Sequence, residues 1–225
     1  MPTATIVFDL DGTLVDTAPD LIAALNALFA REGLPPVPYA HARNLIGGGA
    51  RRMIERGLVA EGVPVRPGDL DRLLARFVEH YAARIADLSR PFPGLEAALD
   101  RLAAAGCNFA VCTNKLEWLS LRLIDKLGLT ARFAAICGQD TFSVQKPDPD
   151  ILRRTVARAG GRLDRAVMVG DSANDIDTAR AAGVPVVAVD FGYTEIPVAL
   201  LGPDRVISHF DALPAAVNDL MPGLG

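Results

Sequence analysis

Five short apolar runs, separated by stretches of helical periodicity, constrain this chain most. They are residues 4–8 (Ala-Thr-Ile-Val-Phe), 108–112 (Asn-Phe-Ala-Val-Cys), 134–137 (Ala-Ala-Ile-Cys), 166–169 (Ala-Val-Met-Val) and 184–189 (Val-Pro-Val-Val-Ala-Val). None alternates apolar with polar, as a strand with one wet face would. Runs of this kind are buried on both faces. The segments between them carry apolar residues at helical spacing. Leu95, Leu99 and Leu102 precede Gly106, and Leu119, Leu123 and Leu127 precede Gly128. Ile151, Leu152, Thr155, Val156 and Ala159 precede Gly160 and Gly161. This alternation predicts an α/β fold, a three-layer Rossmann-like parallel sheet with helices on both faces.

Residues 16–90 break the alternation. Leu21, Leu25, Leu28 and Phe29 share one helical face, further helices are expected near 49–60 and 69–87, and no strand pattern occurs. The stretch reads as an all-helical insertion after the first strand. It returns through Ser89-Arg90-Pro91-Phe92-Pro93-Gly94, whose prolines and glycine suit a linker. The expected organisation is a core of residues 1–15 and 91–225 with a helical cap domain at 16–90. The linkers near 15–19 and 86–93 are the hinge candidates.

Composition narrows the partners. The net charge of −4 on 225 residues argues against nucleic acid or an anionic membrane as partner. A phosphate ligand remains compatible, because a local metal or helix N-terminus reverses the field. Cys107, Cys112 and Cys137 form no Cys-x-x-Cys pair and read as reduced thiols in apolar surroundings. With no basic-then-apolar leader, this predicts a cytoplasmic protein. The apolar tract 181–201 is broken by Pro185, Asp190, Glu195 and Pro197, which excludes a membrane span there.

Four groups of polar residues fall at or near the predicted carboxyl ends of strands, the edge where open α/β sheets place their sites. They are Asp9-Leu10-Asp11-Gly12-Thr13, Thr113-Asn114-Lys115, Lys146-Pro147-Asp148-Pro149 and Gly170-Asp171-Ser172-Ala173-Asn174-Asp175. Singly, each could be a turn or a helix cap. Together they put several acids, a hydroxyl–amide pair and a lysine at one edge. Asp9 and Asp171 are oxygen donors suited to Mg²⁺. Asp9 can also attack phosphorus to form an aspartyl-phosphate. Asp11 is close enough to protonate a leaving oxygen and later to deprotonate water. Thr113, Asn114 and backbone N–H groups can hydrogen-bond phosphoryl oxygens, and Lys146 balances the charge.

In order and spacing these groups resemble the four motifs of the haloacid dehalogenase superfamily, and the match spans nearly the whole chain. The resemblance implies Asp9 as nucleophile, Asp11 as acid/base, and Mg²⁺ held by Asp9, the Asp11 carbonyl and Asp171, with Asp175 supporting it. The second aspartate, Asp11, marks the family's phosphatases rather than its dehalogenases. Asp16-Thr17-Ala18-Pro19-Asp20, Ile46-Gly47-Gly48-Gly49-Ala50, Thr113-Asn114-Lys115 and Gly192-Tyr193 look most like the phosphoglycolate phosphatase branch, although Gly48 replaces a more usual polar residue. The expected substrate is therefore a small phosphorylated metabolite, 2-phosphoglycolate first. Another sugar phosphate, a nucleoside monophosphate, pyrophosphate or a β-phosphoglucomutase-like transfer is the alternative, and a binding module without catalysis is disfavoured by the intact acids. The glycines of 47–49 let backbone approach a ligand. Gly48, Gly49 and Arg51, with Thr113, Asn114 and Lys115, are the candidate substrate contacts. The protein is expected to act as a monomer or homodimer.

His41, His80 and His209 lie outside the motifs, and Trp118 reads as a packing residue.

Overall fold

The computed structural model describes residues 4–43, 45–66, 68–194 and 196–222. The outermost residues of the expected core, 1–3 and 223–225, lie outside that range, as do positions 44, 67 and 195.

Each predicted run forms a strand: β1 (Thr5–Phe8), β4 (Asn108–Cys112), β5 (Ala135–Cys137), β6 (Ala166–Gly170) and β7 (Val186–Val189). A sixth strand, β8 (Arg205–Ile207), completes a parallel sheet of order β5-β4-β1-β6-β7-β8. Alternate side chains of one strand enter opposite layers. Ile6 and Phe8 pack with Leu95, Leu99, Leu213 and Val217. Val7 packs with Ile151, Leu152, Ile176 and Ala179 on the other face. Both layers are apolar, which is why the runs do not alternate. The covering helices are α5 (Leu95–Ala104), α6 (Glu117–Lys126), α7 (Pro149–Arg158), α8 (Ala173–Ala182) and α9 (Leu213–Leu220).

Strand β1 is central, flanked by β4 and β6 in register Phe8↔Val111 and Phe8↔Val169. The segments that follow these three strands therefore emerge side by side. This topology brings Asp9, Thr113 and Asp171 to one edge.

Between the short strands β2 (Val15–Asp16) and β3 (Arg90–Pro91) lies the helical insertion: α1 (Ala18–Arg31), α2 (Tyr39–Arg43), α3 (Ala50–Ala60) and α4 (Asp69–Ala83). The spacing of Leu73, Phe77 and Tyr81 buries one face of α4, which packs on α1 and α3. Helix α4 stops at Ala83, short of the expected 87, because the next segment turns. The buried Asp20 carboxylate of α1 then accepts hydrogen bonds from the Leu88 and Ser89 N–H groups (3.1 and 2.7 Å) and the Ser89 hydroxyl (2.6 Å). β2 and β3 pair antiparallel, Val15 opposite Pro91 and Asp16 opposite Arg90. The two chain crossings into the insertion are thus joined to each other.

All three cysteines are free and buried. Trp118, expected to pack, is 45% exposed instead. No helix is long and apolar enough to cross a membrane among the described residues.

Candidate active site

The floor of the site is built from strand ends. After β1, Asp9 donates its backbone N–H to Val169 O (2.9 Å), which continues the sheet. Leu10 turns into the core, and Gly12 then reverses the chain at φ +85°. A Cβ at Gly12 would lie 2.4 Å from the Asp171 Oδ2, so only glycine lets this turn approach that carboxylate. Asp171 follows β6 and accepts from the Thr13 hydroxyl (3.1 Å) and from the Tyr193 N–H (2.7 Å). In the first turn of α8, Asp175 accepts from the Ser172 N–H (3.1 Å) and hydroxyl (2.7 Å).

Lys146 enters from the loop before α7. Its ammonium lies 2.9 Å from the Asp9 Oδ1 and 2.6 Å from the Asp175 Oδ1. The loop is fixed by Asn114, which accepts from the Lys146 N–H (2.9 Å) and donates to its carbonyl (3.1 Å). Asn114 thus spends its amide on positioning Lys146. Capping accounts for neither Asn114 nor Thr113, since α6 has no side-chain cap. Asp148, by contrast, does cap α7, accepting from the Asp150 N–H (2.9 Å).

Asp11 stands apart from this group. Both its oxygens accept from the Lys115 ammonium (2.9 and 3.0 Å), and that ammonium lies 4.6 Å from the centre of the Tyr81 ring on α4. A cation over a ring face is attracted by the ring quadrupole. Lys115 thus joins the sheet edge to the helical insertion.

Charge here is out of balance. Carboxylate oxygens of Asp9, Asp171 and Asp175 all lie within 4.8 Å of one another, with one ammonium, Lys146, among them. Burial raises the pKa of Asp9 to about 6; Lys146 opposes the shift and Asp175 adds to it. Burial, then repulsion from Asp175 and Asp9, raises that of Asp171 to about 8. Burial would lower the Lys146 ammonium, but Asp175 and Asp9 outweigh it and hold it above the ordinary lysine range. A buried group of three acids and one base lacks positive charge, and an oxygen-ligated divalent cation would supply it. The donor set therefore fits such an ion. Asp175 already accepts three hydrogen bonds on its two oxygens, so Asp9 and Asp171 have the freer lone pairs.

Above this floor is a cavity of about 800 Å³ lined by Asp9, Asp11, Thr113, Asn114, Lys115, Lys146 and Asp171. Its far wall comes from the insertion, with Gly47, Gly48, Gly49, Arg51 and Arg52. The three glycines take φ of +111°, +81° and +89°. A Cβ on Gly49 would meet the Asn114 carbonyl at 3.3 Å, so the loop comes close to the sheet edge. Arg51 pairs with Asp71 of α4 and is half exposed. The Arg52 side chain runs beneath Gly48 and makes no ion pair among the described residues. The sequence-predicted residues thus converge on one cavity, except Asp175, which is buried behind Lys146, and Asn114 and Arg51 face other partners. Tyr81 carried no signal of its own, because its partner Lys115 is distant in sequence; Asp20 belongs to the 16–20 segment that carries the resemblance, but its bonds to 88–89 are likewise long-range.

Fold and edge together define an enzyme of the α/β class, with its site at the carboxyl edge of a parallel sheet. More particularly, the chain belongs to the haloacid dehalogenase-like hydrolases, whose family profile matches residues 6–189. It is 55% identical over 208 residues to a phosphoglycolate phosphatase of Mesorhizobium japonicum, covering 92% of each chain. It is 50% identical to one of Caulobacter vibrioides, covering 97% of this chain and 92% of that one. Among solved structures, a predicted phosphoglycolate phosphatase from Haemophilus somnus superposes with a TM-score of 0.87 at 28% identity, covering 95% and 97% of the two chains. CbbY from Rhodobacter sphaeroides, solved in complex with phosphate, gives 0.79 at 26% identity over 98% and 100%. The chain is accordingly a phosphoric monoester hydrolase of phosphoglycolate phosphatase type.

Proposed function

We propose that this enzyme hydrolyses 2-phosphoglycolate to glycolate and phosphate, with Mg²⁺ as its ion and an aspartyl-phosphate on Asp9 as intermediate. The observation that carries this reading is the buried Asp9 carboxylate beside Lys146 at the floor of the cavity. The names of the relatives support the substrate. When bound, Mg²⁺ would be held by Asp9, the Asp11 carbonyl and Asp171, with Asp175 in support, and would supply the positive charge that the acids and the phosphoryl group need.

Asp9 attacks phosphorus, and the alkoxide leaves with a proton from Asp11. Water then attacks the acyl phosphate while Asp11 takes its proton, which frees phosphate, returns Asp9 as a carboxylate and leaves Asp11 in the acid form that begins the next cycle. Lys146 balances the spreading charge, Thr113 and neighbouring N–H groups hold phosphoryl oxygens, and Asn114 keeps Lys146 in place. Residues 16–90 act as a cap that closes over the bound substrate and excludes water. The glycine loop, through Gly48 and Gly49, with Arg51, Arg52 and Lys115, meets the substrate carboxylate. The buried free thiols suit a cytoplasmic enzyme, working as a monomer or homodimer.

A phosphate-release screen over phosphorylated metabolites tests the substrate. The expected result is a higher kcat/KM for 2-phosphoglycolate than for a neutral alkyl phosphate of the same size. A preference for the neutral ester, or for a nucleotide, would contradict it. Turnover that appears only with a sugar bisphosphate, yielding an isomer, would mark a mutase instead.

A further inference from the structure

The loop after β7 touches three places that matter to catalysis. Gly192 lies against Asp171: a Cβ there would be 2.2 Å from the Asp171 Cβ and 2.3 Å from its Oδ2. The next residue, Tyr193, donates its N–H to that same Oδ2 (2.7 Å). Its hydroxyl donates to the Asp16 carboxylate (2.5 Å) and accepts from the Ala18 N–H (2.9 Å). Asp16 and Ala18 are the first crossing into the helical insertion. Phe191, one residue before the glycine, packs its ring 4.6 Å from Phe92, which follows the second crossing. Phe92 in turn donates its N–H to Leu14 O (3.1 Å), beside the first.

The geometry points to Tyr193 as a positioning residue that ties the Asp171 carboxylate to the first crossing, while its neighbour Phe191 reaches Phe92 after the second. Its backbone holds the carboxylate from one side, and its hydroxyl holds the linker from the other. A change in what Asp171 binds is therefore passed to the crossings, and the position of the insertion is passed back to Asp171. Thermodynamic linkage makes the effect reciprocal. This inference rests on Asp171 being a metal ligand, as proposed above.

Amide hydrogen exchange on the full-length protein, with Mg²⁺ alone as probe and no substrate, tests it. In the wild type, Mg²⁺ should slow exchange in peptides covering residues 14–18 and 89–93 as well as in those around 170–175. In Tyr193→Phe, protection should persist around 170–175 and vanish at 14–18, with the smaller loss at 89–93, which Phe191 and Phe92 still join to the loop, and calorimetry should show Mg²⁺ binding several-fold weaker. Asp16→Ala, which removes the acceptor of the Tyr193 hydroxyl, should behave alike and guards against misfolding of either variant. Crossings that do not respond in the wild type, or respond equally in both variants, would overturn the coupling while leaving the metal site standing. No protection and no binding heat anywhere would overturn the metal site, and this inference with it.

Discussion

Asp171 is a carboxylate held away from water beside two others, and its pKa of about 8 expresses that cost. Removing the charge should help the metal-free fold and remove the metal site together. For Asp171→Asn, melting without metal is expected at a higher temperature, by at least about 2–4 °C, the shift that 1 kcal/mol produces in a chain of this size. The Thr13 hydroxyl can turn to accept from the new amide, so the pocket need not break. Added Mg²⁺ should no longer raise the melting temperature. A variant less stable than wild type without metal would contradict this. Tyr81 offers a second single-residue test. Its ring lies under Lys115, while its buried hydroxyl has no hydrogen-bond partner among the described residues. Tyr81→Phe should keep kcat within about twofold. Tyr81→Leu should lower it about tenfold, since a desolvated cation–π contact is worth about 1–2 kcal/mol. Equal losses would assign the role to packing. Neither Tyr81 nor the pairing of Lys115 with Asp11 could be read from the sequence, because each joins residues far apart in the chain. The acids at the strand ends could, because a carboxylate straight after an apolar run is costly without a use.

At the scale of elements, the parallel strands β1, β4, β5, β6 and β7 were legible because both faces are buried, which leaves unbroken apolar runs. Strand β8 was not, since Arg205 and Val206 are exposed at the sheet edge and give no such run. Helix α4 ends at Ala83, short of 87, where Arg84 leaves helical geometry with no glycine or proline to mark the stop in the sequence. The glycine loop before α3 was legible as a tight positive-φ turn, it lines the cavity, and its geometry gives a test. Gly49→Ala places a Cβ against the Asn114 carbonyl at φ +89°, ψ 165°, a backbone conformation essentially confined to glycine that costs about 1–3 kcal/mol for other residues. KM for 2-phosphoglycolate should rise about tenfold if that cost falls on the closed state. Gly62→Ala is the control, at φ +68° with nothing within 4 Å. It also puts an L-residue at positive φ, but away from the site, so it should lower stability and leave KM unchanged.

Over the whole molecule, fold and function compete for the same buried charges. The folded pKa values of Asp9 and Asp171, about 6 and about 8, exceed the ordinary aspartate value of 3.8. The folded chain therefore holds more protons than the unfolded one between those limits. Stability of the metal-free protein should fall as pH rises from about 4 through about 8. Saturating Mg²⁺ binds the ionised form and should flatten or reverse that slope, which thermal melts at several pH values would reveal. A metal-free protein that gains stability across this range would contradict the charge imbalance. The cavity lies where sheet edge and insertion meet, so its chemistry depends on contacts between segments that fold from opposite ends of the chain. The most direct test is phosphate release from 2-phosphoglycolate in Mg²⁺ by the wild type and by Asp9→Asn, each checked for native melting. The wild type should turn over at about 1–1,000 per second, as enzymes commonly do. The variant should lose at least about a thousandfold in kcat, as expected when a covalent nucleophile is removed. An Asp9→Asn protein that keeps a tenth of the wild-type rate would show that Asp9 is not the nucleophile.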